Sequence, residues 1–367
     1  MKIAIDGYEA NVTQRLGSSQ VAFELLKSFE RLDHDNEYLI YLPNYPMADL
    51  PEERPGWKYK ILKPKRFWTK VALPLALFFS KQKPDLIFSP THYIPRISSI
   101  KRIATIFDLS FLKFPETFLK NDLWKLKTGT RYSVENADHL ITISNSTKRD
   151  IFSEYGLKNT QVTVAYPGFN KQIFKPGKNQ QVLDKYGIKD SYIIYIGTIQ
   201  PRKNLIRLME AVARIDGLQL LLVGKSKGEG KNGWKFEETL ETPKRLGIEN
   251  RVKFTGFVDT EDLPYLLSSA LACVQPSLYE GFGIPILEAM ACGTPIIASN
   301  VSSLPEIVGK AGLLIDPYSV DQLEQAIRTL VTDKKIRERY SKLGLIQSRR
   351  FSWNKMAEII LKVFASV

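Results

Sequence analysis

Short apolar runs alternate along the chain with longer segments in which apolar residues recur every three or four positions. The first run, Lys2–Asp6, predicts a β-strand, and the spacing within Ser19–Arg31 predicts a helix. Further strands are predicted at Tyr38–Leu42, Tyr59–Leu62, Leu86–Ser89, Arg102–Phe107, His139–Ile143 and Val162–Ala165, and further helices at Asp122–Glu135 and Thr147–Tyr155. This alternation is typical of a doubly wound parallel sheet.

The alternation stops at Pro167–Gln180, where two Pro-Gly pairs and no apolar periodicity predict an interdomain linker. It then resumes, with strands predicted at Tyr192–Ile196, Leu218–Val223, Val252–Phe254, Leu271–Gln275, Pro295–Ala298 and Leu313–Ile315. Helices are predicted at Leu205–Arg214, Lys235–Leu246, Glu261–Ser268, Ile284–Cys292, Asp321–Leu330 and Trp353–Phe364, with capping boxes at Asp259–Asp262 and Ser319–Gln322. We therefore predict an α/β protein with two Rossmann-like domains, 1–170 and 171–350, and a final helix in 351–367. Ligands of such sheets bind at the carboxyl ends of the strands, so we expect a cleft there.

The composition is that of a globular protein, with 44% hydrophobic and 25% charged residues in 367 positions. The two cysteines, Cys273 and Cys292, both lie in apolar segments, which favours a reducing, cytoplasmic setting. The first residues, Met1–Asp6, predict a strand rather than a signal peptide.

Basic residues are in excess, giving a formal net charge of +13. No nucleic-acid motif accompanies them, so phosphorylated sugars or anionic lipid are the expected partners. The most basic stretch, Trp57–Lys83, has no acidic residue and contains the apolar run Val71–Phe79. That run is shorter than the roughly 20 residues that span a bilayer. It predicts either a helix lying on an anionic membrane surface or a buried crossover helix with solvated lysines around it.

No metal site is predicted. The three histidines lack metal-ligand spacing, and no Cys-x-x-Cys occurs. Asp33-His34-Asp35 spells Asp-x-Asp but lies in a charged loop, which we interpret as a solvated turn. A dehydrogenase is also disfavoured, because no strand is followed by Gly-x-Gly-x-x-Gly.

Two segments carry candidate chemistry. In Pro276–Pro295, Glu280 and Glu288 lie eight positions apart, and a Gly-Phe-Gly turn separates the first from a predicted helix whose start suits a phosphate. In Gly197–Leu205, the adjacent cations Arg202 and Lys203 follow a predicted strand, where they could face one diphosphate.

Together these segments resemble glycosyltransferase family 4, retaining GT-B enzymes that use nucleotide-sugar donors without a metal. The resemblance implies that Arg202 and Lys203 bind the donor diphosphate, Glu280 the donor sugar and Glu288 the ribose. It also implies donor contacts at the main chain of Gly281, Phe282, Gly283 and Ile284, a base contact at Val258, and a diphosphate contact at Gly17. The final helix is expected to cross back onto the N-terminal domain.

Three positions depart from the family pattern. Thr198 replaces an arginine that some members carry, Ser19 replaces a second glycine after Gly17, and Phe107 replaces the histidine that usually contacts the sugar. Ser19 could still donate a hydrogen bond or cap the following helix. His92 follows the preceding strand, and we predict it as a candidate catalytic substitute.

The resemblance implies a retaining glycosyltransferase. It would move a sugar, with mannose or glucose as candidates, from a nucleotide-diphosphate sugar to a hydroxyl of a glycan or lipid-linked acceptor in cell-surface polysaccharide or glycolipid synthesis. The expected location is cytoplasmic and peripheral to the membrane, through residues 57–83. The alternative is a catalytically weak or inactive GT-B protein that binds nucleotide sugars or acts as a scaffold.

Overall fold

The computed structural model describes residues 1–157, 161–225 and 236–367. The chain forms two compact units. The first comprises 1–109, 124–168 and 352–367, and the second comprises 110–123 and 169–351. The main boundary lies two residues before the predicted one. Segment 110–123 was expected in the first domain but lies in the second unit, where the ring of Phe114 packs 6.3 Å from that of Tyr279.

In its described part, the first unit holds a seven-stranded parallel sheet in the order β3-β2-β1-β4-β5-β6-β7. The strands are β1 Lys2–Asp6, β2 Glu37–Leu42, β3 Trp57–Ile61, β4 Leu86–Ser89, β5 Lys101–Ile106, β6 His139–Thr142 and β7 Gln161–Val164. Each predicted strand is confirmed, with its ends shifted by two residues at most. They are recognisable because strands covered on both faces are short apolar runs.

The second unit holds a six-stranded parallel sheet in the order β10-β9-β8-β11-β12-β13, again among described residues. Its strands are β8 Tyr192–Ile196, β9 Gln219–Val223, β10 Val252–Gly256, β11 Ala272–Gln275, β12 Ile296–Ser299 and β13 Gly312–Ile315. In each sheet the strand order reverses once, between β1 and β4 and between β8 and β11. Such reversals leave a crevice at the carboxyl ends of the two strands, where ligands of doubly wound sheets bind.

The helices of the first half are α1 Ser18–Leu32, α2 Leu73–Phe78, α3 Ser110–Lys113, α4 Lys120–Asn136 and α5 Asn145–Tyr155. Those that follow are α6 Gln180–Lys185, α7 Leu205–Ala213, α8 Glu237–Arg245, α9 Leu263–Ser269, α10 Ile284–Ala291, α11 Leu304–Val308, α12 Val320–Thr332, α13 Lys334–Ser348 and α14 Trp353–Ser366. A π-helical turn, Trp68–Ala72, runs directly into α2. No helix among the described residues combines the length and the apolar character needed to cross a bilayer.

Several local predictions are corrected. The capping box at Asp259–Asp262 is wrong, because α9 begins later and both carboxylates accept from the Lys185 ammonium, at 3.1 and 2.7 Å. Ser319 does cap α12, accepting from the N–H of Gln322 at 3.2 Å. The predicted start of α8 at Lys235 lies outside the described residues.

The turn Asp33-His34-Asp35 is only partly the solvated turn we expected, because His34 and Asp35 are exposed whereas Asp33 is buried. The Asp33 carboxylate accepts hydrogen bonds from the Tyr38 hydroxyl and from the side-chain amide of Asn36. Asp33 therefore fixes the end of α1.

Helix α14 is part of the first unit. It lies on α1, and its Phe364 ring sits 5.6 Å from that of Phe29 and 5.3 Å from that of Phe88 in β4. All three rings are buried. The backbone at Gly168 passes so close to the start of α14 that a Cβ atom at position 168 would lie 2.2 Å from the Trp353 nitrogen. The first unit is thus closed by the last residues of the chain.

We predict that Phe364→Ala lowers the free energy of unfolding of the first unit by about 3–5 kcal/mol, since it opens a cavity among buried rings. Lys362→Ala, on the exposed face of the same helix, should change it by less than about 0.5 kcal/mol. The stability of each variant can be measured by denaturant unfolding, with hydrogen exchange of the amides in β1 and β4 reporting on the first unit. Equal stability of the two variants would mean that α14 contributes little to this core.

Candidate active site

The loop after β8 places the basic pair at the strand-order reversal of the second sheet. Gly224 approaches Gly197 so closely that a Cβ at position 224 would lie 2.0 Å from the Gly197 oxygen. Arg202 and Lys203 lie in the 3₁₀ turn Pro201–Lys203. Asn204 follows in the left-handed conformation at φ 61°, and its side-chain N–H groups donate to the carbonyls of Pro276 (3.0 Å) and Pro317 (2.6 Å). The β8 loop is therefore tied to the loop after β11.

Glu280 lies at the centre of this site. Its Oε1 accepts from Lys203 Nζ, and its Oε2 accepts from Arg202 Nη1 at 3.3 Å. The side chains are 14% (Arg202), 9% (Lys203) and 9% (Glu280) exposed. Arg202 also donates to the Tyr279 carbonyl at 2.9 Å. Three of the predicted site residues thus form one buried ion cluster with two positive charges and one negative charge.

The cluster keeps Glu280 ionised. Burial by itself would raise the pKa of this carboxyl. The charges of Lys203 and Arg202 and the hydrogen bonds from Lys203 and Ser277 outweigh burial and hold the pKa at about 2. The carboxylate therefore remains negative across the physiological pH range.

The loop between Glu280 and α10 is braced by two serines that follow β12. Ser302 Oγ accepts from the Glu280 N–H at 2.9 Å, and Ser303 Oγ donates to the carbonyls of Glu280 (2.9 Å) and Phe282 (2.8 Å). The ring of Phe282 packs 5.8 Å from that of Phe351. Sequence reasoning missed Ser302 and Ser303, which carry no recognisable spacing.

Helix α10 begins after Gly283, whose φ of 112° requires glycine, and has Pro285 in its first turn as predicted. Gly281 is buried, whereas Gly283 and Ile284 are half-buried. The start of a helix carries partial positive charge and unpaired N–H groups, which suits an anion.

Glu288 lies in α10, where it is half-buried. Its surroundings contrast with those of Glu280. Desolvation raises the pKa of Glu288 to about 8, and no residue in the described part of the chain offsets that shift with a charge or hydrogen bond. The carboxyl is therefore neutral at pH 7, in a form able to donate as well as accept a hydrogen bond.

The remaining predicted donor-binding positions are scattered over loops. Val258 is buried two residues beyond Gly256, which has φ 69° at the end of β10. Gly17 is the residue before α1, with φ 56°. The Ser19 hydroxyl donates to Glu9 at 2.8 Å and makes no cap, so the suggested capping role is wrong.

His92 lies behind the main chain of Phe107. Its Nε2 accepts from the Phe107 N–H at 3.0 Å, so in the neutral ring Nδ1 carries the proton and donates to Thr130 Oγ1 at 3.1 Å. Burial lowers the pKa of His92, against the charge of Asp108. The Phe107 and His92 rings stack at 5.7 Å, and Thr147 Oγ1 donates to the Phe107 carbonyl at 3.0 Å. This geometry fixes the backbone at Phe107, and the catalytic role of His92 stays a prediction.

Within the ranges that the structure describes, no group of three or more His, Cys, Asp or Glu side chains is arranged to hold a metal ion. Cys273 and Cys292 are both buried, as their apolar segments predict, and neither is part of a disulfide.

Two protein families match the chain. The family described as Glycosyltransferase Family 4 matches residues 16–172, and that described as Glycosyl transferases group 1 matches residues 178–347. Among curated proteins, the chain is similar to the O-antigen chain mannosyltransferase B of Escherichia coli. The two are 32% identical over 299 residues, which cover 80% of this chain and 76% of that protein.

Solved structures show the same fold. A sucrose-phosphate synthase from Thermosynechococcus elongatus superposes with a TM-score of 0.78 at 22% identity, covering 100% of both chains. The Anabaena protein HepE in complex with UDP and glucose gives a TM-score of 0.78 at 21% identity, covering 100% of this chain and 99% of that one. These matches and the two parallel sheets identify the GT-B fold, and the chain belongs to glycosyltransferase family 4.

Proposed function

We propose that this glycosyltransferase is a retaining enzyme that moves a sugar from a nucleotide-diphosphate sugar to a hydroxyl of a glycan or lipid-linked acceptor. The observation that carries the proposal is the pairing of Arg202 and Lys203 around Glu280 at the reversal point of the second sheet. A diphosphate leaving group gains negative charge as its bond to the sugar breaks. Fixed cations in a partly desolvated site stabilise that charge.

In the proposed reaction, the bond between the anomeric carbon and the diphosphate oxygen breaks while the acceptor oxygen attacks from the same face. The acceptor proton passes to the departing phosphate, so the protein need not supply a base. The two cations and the start of α10 supply the charge stabilisation, and we propose that no metal ion is required.

The other donor contacts follow the family pattern. We assign the ribose hydroxyls to Glu288 and the base to the main chain at Val258. We assign the sugar and phosphate contacts to the main chain of Gly281, Phe282, Gly283 and Ile284. Gly17 would be a further contact to the diphosphate. Glu280 would reach the donor sugar only by sharing an oxygen that already accepts hydrogen bonds. His92 would act by positioning the Phe107–Asp108 backbone.

We propose mannose as the sugar. A relative that matches 80% of the chain is named as an O-antigen chain mannosyltransferase, which also supports a role in cell-surface polysaccharide synthesis. Glucose is the second candidate, since the HepE structure holds UDP and glucose. The inactive scaffold is not favoured, because the ion cluster is complete.

We also propose that residues 57–83 attach the protein to the anionic inner surface of the cell membrane. The apolar segment has two faces: Ala72, Leu73 and Leu77 are buried against the sheet, whereas a row of large apolar side chains is exposed. Their exposed fractions are Phe67 54%, Val71 37%, Leu75 49%, Phe78 69% and Phe79 72%. These positions recur at helical spacing, and basic residues flank them, as in a helix lying on anionic lipid.

Lys203→Ala should lower kcat by about 10²–10³-fold, because the departing phosphate loses one fixed cation. The assay is sugar release or transfer from the nucleotide sugar that gives wild type the largest thermal shift in a panel including GDP-mannose and UDP-glucose. Lys310→Ala, an exposed lysine of the same unit, is the control and should retain full activity. Wild-type turnover in the Lys203 variant would contradict the assignment.

Glu288→Gln should stabilise the free protein as pH rises. The folded state holds a proton on Glu288 up to a pKa of about 8, whereas the unfolded chain releases it near the ordinary value of 4.5. Folding is therefore penalised increasingly between pH 4.5 and 8, and glutamine removes that penalty. The Tm difference between variant and wild type should be larger at pH 8 than at pH 5. A difference independent of pH would show that Glu288 is ionised in the folded protein.

Flotation with vesicles tests the membrane proposal. Wild type should float with vesicles of phosphatidylglycerol and phosphatidylcholine in equal parts, and less with phosphatidylcholine alone. Replacing Lys63, Lys65 and Arg66 by glutamine should weaken partitioning roughly a hundredfold, at about 1 kcal/mol per charge. A double Phe78→Ser/Phe79→Ser variant should also bind more weakly, whereas Tyr45→Ser, which alters an exposed ring elsewhere, should float normally. Equal flotation of all variants would end the proposal.

A further inference from the structure

The Glu280 carboxylate is held by more than its cations. Besides Lys203, its Oε1 accepts from Ser277 Oγ at 2.7 Å and from Gln275 Nε2 at 3.1 Å. Gln275 is 1% exposed and Ser277 is fully buried. One carboxylate oxygen therefore has three donors, which leaves it little freedom to rotate or shift.

The two neutral donors stand on a rigid part of the fold. Gln275 is the last residue of β11 and pairs with Ala298 of β12. Pro276 separates Gln275 from Ser277, restricts the backbone between them, and offers its carbonyl to Asn204 at 3.0 Å. The Leu278 N–H then donates to the Arg202 carbonyl at 2.8 Å. Each donor is thus placed by the main chain.

The Lys203 ammonium depends on this arrangement. Lysine is a point charge on a flexible four-carbon stem, and it has no planar geometry with which to orient itself. Its place beside Glu280 depends on where Oε1 lies, and Ser277 and Gln275 both donate to Oε1. Without them the carboxylate could turn, and the ammonium would follow it.

We propose that Gln275 and Ser277 are positioning residues that hold Lys203, through Glu280, where it binds the diphosphate group of a nucleotide. This inference rests on the proposed function and goes beyond it. It assigns binding strength to two neutral side chains that act through Glu280, and it predicts that most of their effect passes through Lys203, which shares Oε1 with them.

The test compares ligands that differ only in phosphate. Isothermal titration measures the Kd of UDP, GDP and the matching nucleosides with the full chain. The variants are Ser277→Ala and Gln275→Met, which keeps the side-chain length but has no N–H. Ser299→Ala is the matched control, since Ser299 is a buried hydroxyl at the end of neighbouring β12 that makes no bond to the cluster.

For the diphosphate that wild type binds, Kd should rise roughly 10- to 100-fold in both variants, as expected for partners that orient a ligand-binding group. The Kd of the nucleoside should change less than about twofold in these variants. In the Ser299→Ala protein, the Kd of the diphosphate should also change less than about twofold. In a Lys203→Ala background, adding either substitution should raise diphosphate Kd by less than it does in wild type, because residues acting through one group are not additive.

Three results would overturn the proposal: unchanged diphosphate affinity in both variants, an equal loss for nucleoside and diphosphate, or full additivity with Lys203→Ala. If Ser277→Ala unfolds, Gln275→Met and its cycle with Lys203→Ala decide the outcome. Wild-type protein that binds no nucleoside diphosphate would refute the proposed function as well, whereas normal wild-type binding with unaffected variants would refute this inference alone.

Discussion

The site depends on one buried carboxylate that is shared by two cations. Taking three charges out of water is costly, and only close pairing with further hydrogen bonds offsets that cost. Glu280 meets this condition, because Lys203, Arg202, Ser277 and Gln275 all donate to it. Several local features serve the same end, including the left-handed Asn204 and the serines that brace the loop after Glu280. The cluster carries one surplus positive charge, which a diphosphate would neutralise.

Glu280 and Glu288 lie in the same segment, but one carboxyl is charged and the other is neutral at pH 7. Glu280 is surrounded by donors and cations, so its pKa falls to about 2, whereas desolvation raises the pKa of Glu288 to about 8. Both residues are glutamates in one short segment of the sequence. Their pKa values differ because cations and hydrogen-bond donors surround Glu280, whereas Glu288 is desolvated without such partners among the described residues. A charged and a neutral carboxyl within one short segment suit separate partners, fixed cations for one and uncharged hydroxyls for the other.

Much of the fold could be predicted because strands covered on both faces are short apolar runs, as in Tyr192–Ile196. The cations and glutamates were predicted because the segments around them resemble a known family, whereas the eight-residue spacing of the two glutamates alone is common by chance. Side chains that act by contact alone were missed: Gln275 is one polar residue at a strand end, and Ser302 and Ser303 follow no pattern. Helix α13 was missed because few of its residues are buried. Segment 110–123 was misplaced because no sequence pattern records which unit a segment packs against.

Helix α14 has a consequence for biosynthesis. The ribosome makes residues 1–168 early, but the aromatic cluster around Phe29 and Phe88 lacks Phe364 until residues 352–367 have also been made. Domains usually fold in order from the amino terminus during synthesis. Here the first unit cannot complete its core, and leaves apolar side chains uncovered, until α14 is made. The second unit can already fold by then. A nascent chain of this protein is therefore expected to need chaperone protection along α1. A gene fragment that ends at the interdomain junction would encode a first unit without α14.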